Sequence, residues 1–141
     1  MTARPMYLLH HLLDARVHDA ARPALIDGPR SLTYGEFAAA VERTALRLIA
    51  AGVARGDRVA ILLPKSLEEC VAIFAISRVG GVFVPINAAL KPAQVRHIIN
   101  DCGARVIVST PSFMSGLEDS GAAMIEAALT DEAVSGPAPP S

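Results

Sequence analysis

Lys65 and Ser66, placed just after an apolar run and Pro64, are the residues whose types come nearest to phosphate chemistry. A lysine beside a hydroxyl can neutralise and hydrogen-bond an anion, but the glycines that let backbone N–H groups cradle a phosphate are missing before this pair. Gly52 and Gly80-Gly81 are likewise not spaced as Gly-x-Gly-x-x-Gly. Lys65 is therefore first a solvated loop lysine, with contact to an anionic group at a strand's carboxyl end as its functional alternative. His10, His11 and His18 raise a metal reading, since His11 and His18 stand two helical turns apart on one face with Asp14 between them. That spacing is loose, and no cysteine or glutamate completes a tetrahedral set. His97, beside Arg96 in an amphipathic stretch, reads as a surface or boundary residue. Arg55-Gly56-Asp57 spells an adhesion tripeptide but falls in the turn before a buried strand. Cys70 lies in a mostly apolar helix, where a thiol packs rather than ionises. With no Ser/His/Asp or Cys/His set, no catalytic, cofactor-binding or metal-ligating residue is expected in this chain.

The elements that position these residues follow from composition and period. The 141 residues are 52% hydrophobic and 19% charged, enough for one domain with a packed core. A net charge of −1 from 13 basic and 14 acidic residues leaves no electrostatic footprint for nucleic acid or an anionic membrane. The apolar run Leu8 to Leu13 is broken by two histidines and too short for a signal segment, and Val79 to Val84 is far short of a transmembrane span. Two cysteines without an export signal imply reduced thiols and a cytoplasmic location.

Tyr7 to Ala20 reads as a helix ended at Arg22-Pro23, followed by a hairpin of Ala24 to Ile26 and Arg30 to Leu32 turning at Asp27-Gly28. Thr33 and Glu36 have capping-box spacing, and the helix after them carries Phe37, Val41, Ala45, Leu48 and Ile49 on one stripe up to Gly52. Arg58 to Leu63 reads as a buried strand. Ser66 and Glu69 form a second capping box for a helix from Leu67 to Val79, apolar nearly all round, which places Phe74 in the core. Val82 to Pro85 is the next strand, and Pro92 suits the first turn of a helix with Val95, Ile98 and Ile99 inward. That helix closes at Cys102-Gly103, and Arg105 to Val108 is a third strand. Crossovers of about a dozen residues require parallel pairing, a βαβαβ unit whose loops Pro64 to Ser66, Ile86 to Leu90 and Ser109 to Ser112 gather at the carboxyl ends of the strands. Met124, Ile125, Ala128 and Leu129 fit a helical stripe, while residues from Thr130 onward, with Pro137, Pro139 and Pro140, read as a frayed end.

Leu32 to Phe37 (Leu-Thr-Tyr-Gly-Glu-Phe), Gly56 to Pro64 and Gly80 to Asn87 (Gly-Gly-Val-Phe-Val-Pro-Ile-Asn) resemble, in order and spacing, the opening of the AMP-forming superfamily of acyl-CoA synthetases, peptide-synthetase adenylation domains and luciferases. The resemblance covers about Tyr7 to Thr110. Phe83 stands where Tyr is commoner, and Lys91 where Ser or Thr often precedes Pro92, which costs that helix a side-chain cap. The resemblance implies an α/β fold, the N-terminal subdomain of an AMP-binding ligase over residues 1–130 with a flexible tail at 131–141. It also implies a short helix near Ser112 to Leu117 and a strand around Ala123 to Leu129, and the strand is preferred over the helical stripe.

The family's Pro-Lys-Gly phosphate loop, its Tyr-Gly-x-Thr-Glu segment for adenine and Mg²⁺, its ribose aspartate and its mobile lysine do not occur between Met1 and Ser141. By resemblance, the complete enzyme would use ATP, Mg²⁺ and CoA, and this chain would be an inactive fragment partnered by the remainder of the ligase. The alternative is a non-catalytic interaction module paired with a separately encoded ATP-site polypeptide. Neither nucleic acid nor membrane is an expected partner, and self-association through uncovered apolar surface is.

Overall fold

The computed structural model describes residues 21–129. The expected helix at Tyr7 to Ala20, the three histidines in it and the tail from Thr130 lie outside the described residues.

Gly28, at φ +60°, turns the chain between β1 (Pro23–Asp27) and β2 (Arg30–Thr33), which pair antiparallel. Thr33 then caps α1 (Tyr34–Ala50): its hydroxyl accepts the Glu36 N–H and Glu36 Oε1 accepts the Thr33 N–H, so both halves of the capping box form. Phe37, Val41, Ala45 and Leu48 are buried as the stripe predicts. Ile49 is not: it is 57% exposed, because a stripe of four turns reaches past the edge of the surface it covers.

The chain continues through β3 (Arg58–Leu62), α2 (Leu67–Arg78), β4 (Val82–Ile86), α3 (Pro92–Cys102), β5 (Val106–Ser109), the short α4 (Pro111–Met114) and β6 (Ala123–Glu126). The four later strands form one parallel sheet in the order β4-β3-β5-β6. The helical stripe at Met124 to Leu129 is overridden by β6, whose pairing with β5 satisfies the backbone of Ala123 to Glu126 and buries Ile125.

Alternation along the central strands divides the core in two. Val59 and Ile61 of β3, with Val106 and Val108 of β5, meet α1 and α2 on one face. Ala60, Leu62 and Ile107 meet Val95 and Ile99 of α3, and Leu117, on the other. β3 and β5 are thus covered on both sides, as near-continuous apolar strands of a parallel sheet must be.

Three local expectations change. Phe74 is half-buried rather than core: it packs edge-on against the buried Phe37, with ring centroids 5.0 Å apart, on the rim of the α1–α2 contact. Ile98 is also half-buried, since Val95 and Ile99 take the centre of that face. The Ser66 hydroxyl accepts the Glu69 N–H, but the Glu69 carboxylate does not return a bond to the Ser66 N–H, so only half of the box forms. At Lys91, whose side chain cannot accept, Gln94 Oε1 takes the Lys91 N–H and supplies half of the missing cap.

The Gly80-Gly81 pair has two separate reasons. Gly80 adopts φ +79°, and a Cβ on Gly81 would stand 3.0 Å from Ile76 Cγ2 and 3.3 Å from the Asp57 carbonyl oxygen. Urea denaturation should therefore rank Phe37→Ala as the severe core change, at about 3–5 kcal/mol. Phe74→Ala should cost about half of that, Gly81→Ala about 1–3 kcal/mol by overpacking, and Lys65→Ala within roughly half a kcal/mol.

Candidate functional site at the carboxyl ends of the strands

In register, Leu62 at the end of β3 lies between Ile86 of β4 and Ser109 of β5. The three loops that follow these strands are therefore neighbours, as the crossover argument requires. From β3 the chain passes to α2 on one face, while from β5 it passes to Phe113 and Leu117 on the other. Such a divergence is the switch point at which open α/β sheets bind ligands.

The polar groups of this rim are largely committed to its own backbone. Ser109, fully buried, donates its hydroxyl to the Leu62 carbonyl at 2.6 Å and ties β3 to β5 at the switch point. The Ser66 hydroxyl donates to the Pro64 carbonyl at 2.9 Å, Asn87 Oδ1 accepts the Ala89 N–H, and the Thr110 and Ser112 hydroxyls lie 3.1 Å apart. Lys65 and Lys91 stand exposed on the same rim. Two exposed lysines without a glycine-rich loop do not make a triphosphate cradle, and among the described residues no group of His, Cys, Asp or Glu could hold a metal ion. The donor set therefore does not fit ATP with Mg²⁺, and no chemical step is assigned to this rim.

A cleft of about 510 Å³ lies at the opposite, amino end of the sheet, between Asp57, Asn100, Arg105 and Ser120. Its charges also serve structure: Asp57 Oδ2 accepts the Ala54 N–H at 2.8 Å, and Arg105 Nε donates to the Gly52 carbonyl at 3.0 Å and lies 3.5 Å from Asp57. Asp57 of the Arg-Gly-Asp tripeptide is thus a turn organiser. His97 is exposed on α3, as expected of a surface residue.

Sequence reasoning missed a two-pronged ion pair. Arg30, on the hairpin, donates from both terminal nitrogens to the Glu68 carboxylate, each at 2.9 Å, and reaches Asp27 at 3.3 Å. Thirty-eight positions separate Arg30 from Glu68, so no local pattern could have found it. The hydrogen bonds with Glu68, and then its charge, raise the Arg30 pKa. Those with Arg30 hold Glu68 below the usual carboxylate range although partial burial opposes this. Burial, followed by the charges of Glu69 and Asp27, pushes the Cys70 thiol up, which disfavours its thiolate.

A parallel sheet wound with helices on both faces, carrying its loops at one switch point, defines an open α/β domain. Residues 14–137 match the family model described as AMP-binding enzyme, and the chain belongs to that family. It is 39% identical over 94 residues to 3-hydroxybenzoate–CoA ligase from Aromatoleum sp. (strain CIB), a match covering 67% of this chain and 18% of that protein. ATP-bound MatB from Rhodopseudomonas palustris superposes with a TM-score of 0.77 at 30% identity, over 92% of this chain and 28% of the other. The N-terminal domain of FACL13 from Mycobacterium tuberculosis gives a TM-score of 0.75 at 28% identity, over 86% of this chain and 34% of that one. The chain thus spans under a fifth of the curated relative's length and about a third or less of these solved chains.

The lowered Glu68 pKa sets the sign of a pH effect. The contribution of the pair is complete above the ordinary carboxylate range and is lost as pH falls through the lowered folded value. Glu68→Gln should lower stability by no more than about 1 kcal/mol at neutral pH, since the pair is largely solvent-screened. The difference between the two urea midpoints should vanish towards acid.

Proposed function

We propose that this chain is the N-terminal subdomain of an AMP-forming acid–thiol ligase of the acyl-CoA synthetase kind, with residues 1–130 as the folded unit and 131–141 as its tail. The complete enzyme would join a carboxylate to the α-phosphorus of ATP with release of pyrophosphate, then pass the acyl group to the thiol of CoA with release of AMP. ATP, Mg²⁺ and CoA belong to that complete enzyme, which we place in the cytoplasm.

The observation that carries this reading is the family match at residues 14–137, together with a curated relative that is a CoA ligase and a solved neighbour that is ATP-bound by their own descriptions. The rim supports the division of labour. Its hydroxyls and amide bind the main chain of the rim itself, so this part shapes the domain, and the groups that stabilise charge on phosphorus would come from other parts of the ligase. Among the described residues, no helix is long and apolar enough to cross a membrane.

ATP–pyrophosphate exchange by the purified chain, with a panel of aromatic and aliphatic carboxylic acids, should stay at background. Clear exchange would overturn the proposal. Grafted in place of the matching segment of the 3-hydroxybenzoate–CoA ligase, residues 21–129 should in contrast sustain adenylation, because they reproduce the scaffold rather than the reacting groups.

The expected partner is the remainder of the ligase. Ile26, Leu46, Ile49 and Val82 are 75%, 57%, 57% and 48% exposed, and β4 and β6 end the sheet among the described residues. Exposed apolar side chains and open strand edges each favour association. Light scattering across a concentration series should show the isolated chain self-associating, and a strictly monomeric chain would count against an uncovered interface.

A further inference from the structure

The β1–β2 hairpin reaches the amino end of α2, where apolar packing and charge both hold it. Leu32 is its buried anchor, Ala24 and Leu25 are half-buried, and Ile26 is 75% exposed. A two-stranded ribbon is marginal in water on its own, so its position depends on what fastens it. One fastening is the Tyr34 N–H to Arg22 carbonyl bond at 2.9 Å, beside the Thr33 cap where the hairpin joins α1. The other is the two-pronged Arg30–Glu68 pair, with both bonds at 2.9 Å. Exposed ion pairs usually contribute little, and bidentate arginine–carboxylate geometry is the recognised exception.

Between the fastened hairpin and α2 lies a cavity of about 220 Å³, lined by Leu25 and Asp27 from the hairpin and by Lys65, Ser66 and Cys70 from the β3–α2 side. Lys65 and Ser66 belong to the carboxyl-end rim, so the hairpin borders that rim. The charges here are finely balanced: Asp27, Glu68 and Glu69 face Arg30 and Lys65. Without Arg30, the carboxylates of Asp27 and Glu68 would confront each other across the gap and repel the hairpin. Without Glu68, Arg30 would keep Asp27 as a partner within the hairpin.

We propose that the hairpin is a flap hinged at Thr33 and latched by Arg30 to Glu68, and that releasing this latch opens the Lys65–Cys70 side of the rim to small solutes. The inference does not depend on the ligase reading.

Cys70 reports the opening. With Cys102→Ser in the background it is the sole thiol of the 141-residue chain, and its rate of reaction with neutral N-ethylmaleimide at fixed pH measures access. Glu68→Gln should accelerate the reaction about two- to fivefold, the range set by one well-aligned exposed pair. Arg30→Gln should accelerate it more. Loss of a nearby positive charge disfavours the thiolate, so a faster reaction in Arg30→Gln reports access rather than acidity. Sodium chloride should speed the reaction of the chain with its latch intact and should not speed that of Arg30→Gln, where only the Asp27–Glu68 repulsion is left to screen.

Hydrogen exchange of the β3 and β5 amides should stay protected in both variants. If a variant loses that protection, the salt series on the intact latch decides: a rising rate upholds the flap, and a flat one overturns it. Unchanged rates in both variants would show that apolar packing alone holds the hairpin, and would overturn the proposal.

Discussion

The constraint on which the rest of the molecule depends is that β3 is paired on both sides and buried on both faces. Val59, Ala60, Ile61 and Leu62 are almost wholly inaccessible, so two separate apolar layers must be supplied for four residues of chain. Val59 and Ile61 require α1 and α2; Ala60 and Leu62 require α3. Parallel pairing with β4 and β5 follows, because helices placed on both faces demand long crossovers. Each crossover returns the chain to the same starting end, which gathers the loops after β3, β4 and β5 at the other. Ligand geometry is in this sense a consequence of strand burial.

What the gathered loops contain is a different matter. Ser66, Asn87 and Ser109 are the kinds of residue that serve as ligand donors elsewhere, yet each spends an oxygen on nearby main chain. Such bonds replace water at groups that would otherwise be left unsatisfied near the end of a buried strand. Charge is used in the same way at the opposite end, where Asp57 and Arg105 tie the turn before β3 to the start of β5 and to the end of α1. The rim thus holds its own loops in place through their main chain.

The helices, the strands and the hairpin turn were legible because local chemistry decides them. The Thr33–Glu36 box, the left-handed glycines at 28, 52 and 103, Pro92 in the first turn of α3 and the apolar run at Val59 to Leu62 each act within a few residues. The parallel sheet followed from crossover length, and the motifs at Leu32 to Phe37 and Gly80 to Asn87 carried the family. The Ser109–Leu62 bond could not be foreseen, since it requires the register of two strands whose bonded residues are 47 positions apart.

By itself, then, the sequence determined the order and type of elements and the family to which they belong, because caps, turns and hydrophobic periods are short-range and self-contained. The tertiary structure supplied the physical reason for the strand that the resemblance preferred and shortened it to residues 123–126, because an open edge on β5 was there to satisfy their backbone. It alone set Phe74 and Ile49 towards the surface, since burial depends on how far a neighbouring element extends. It alone brought Arg30 to Glu68, where the docking of one element on another sets two distant charges face to face.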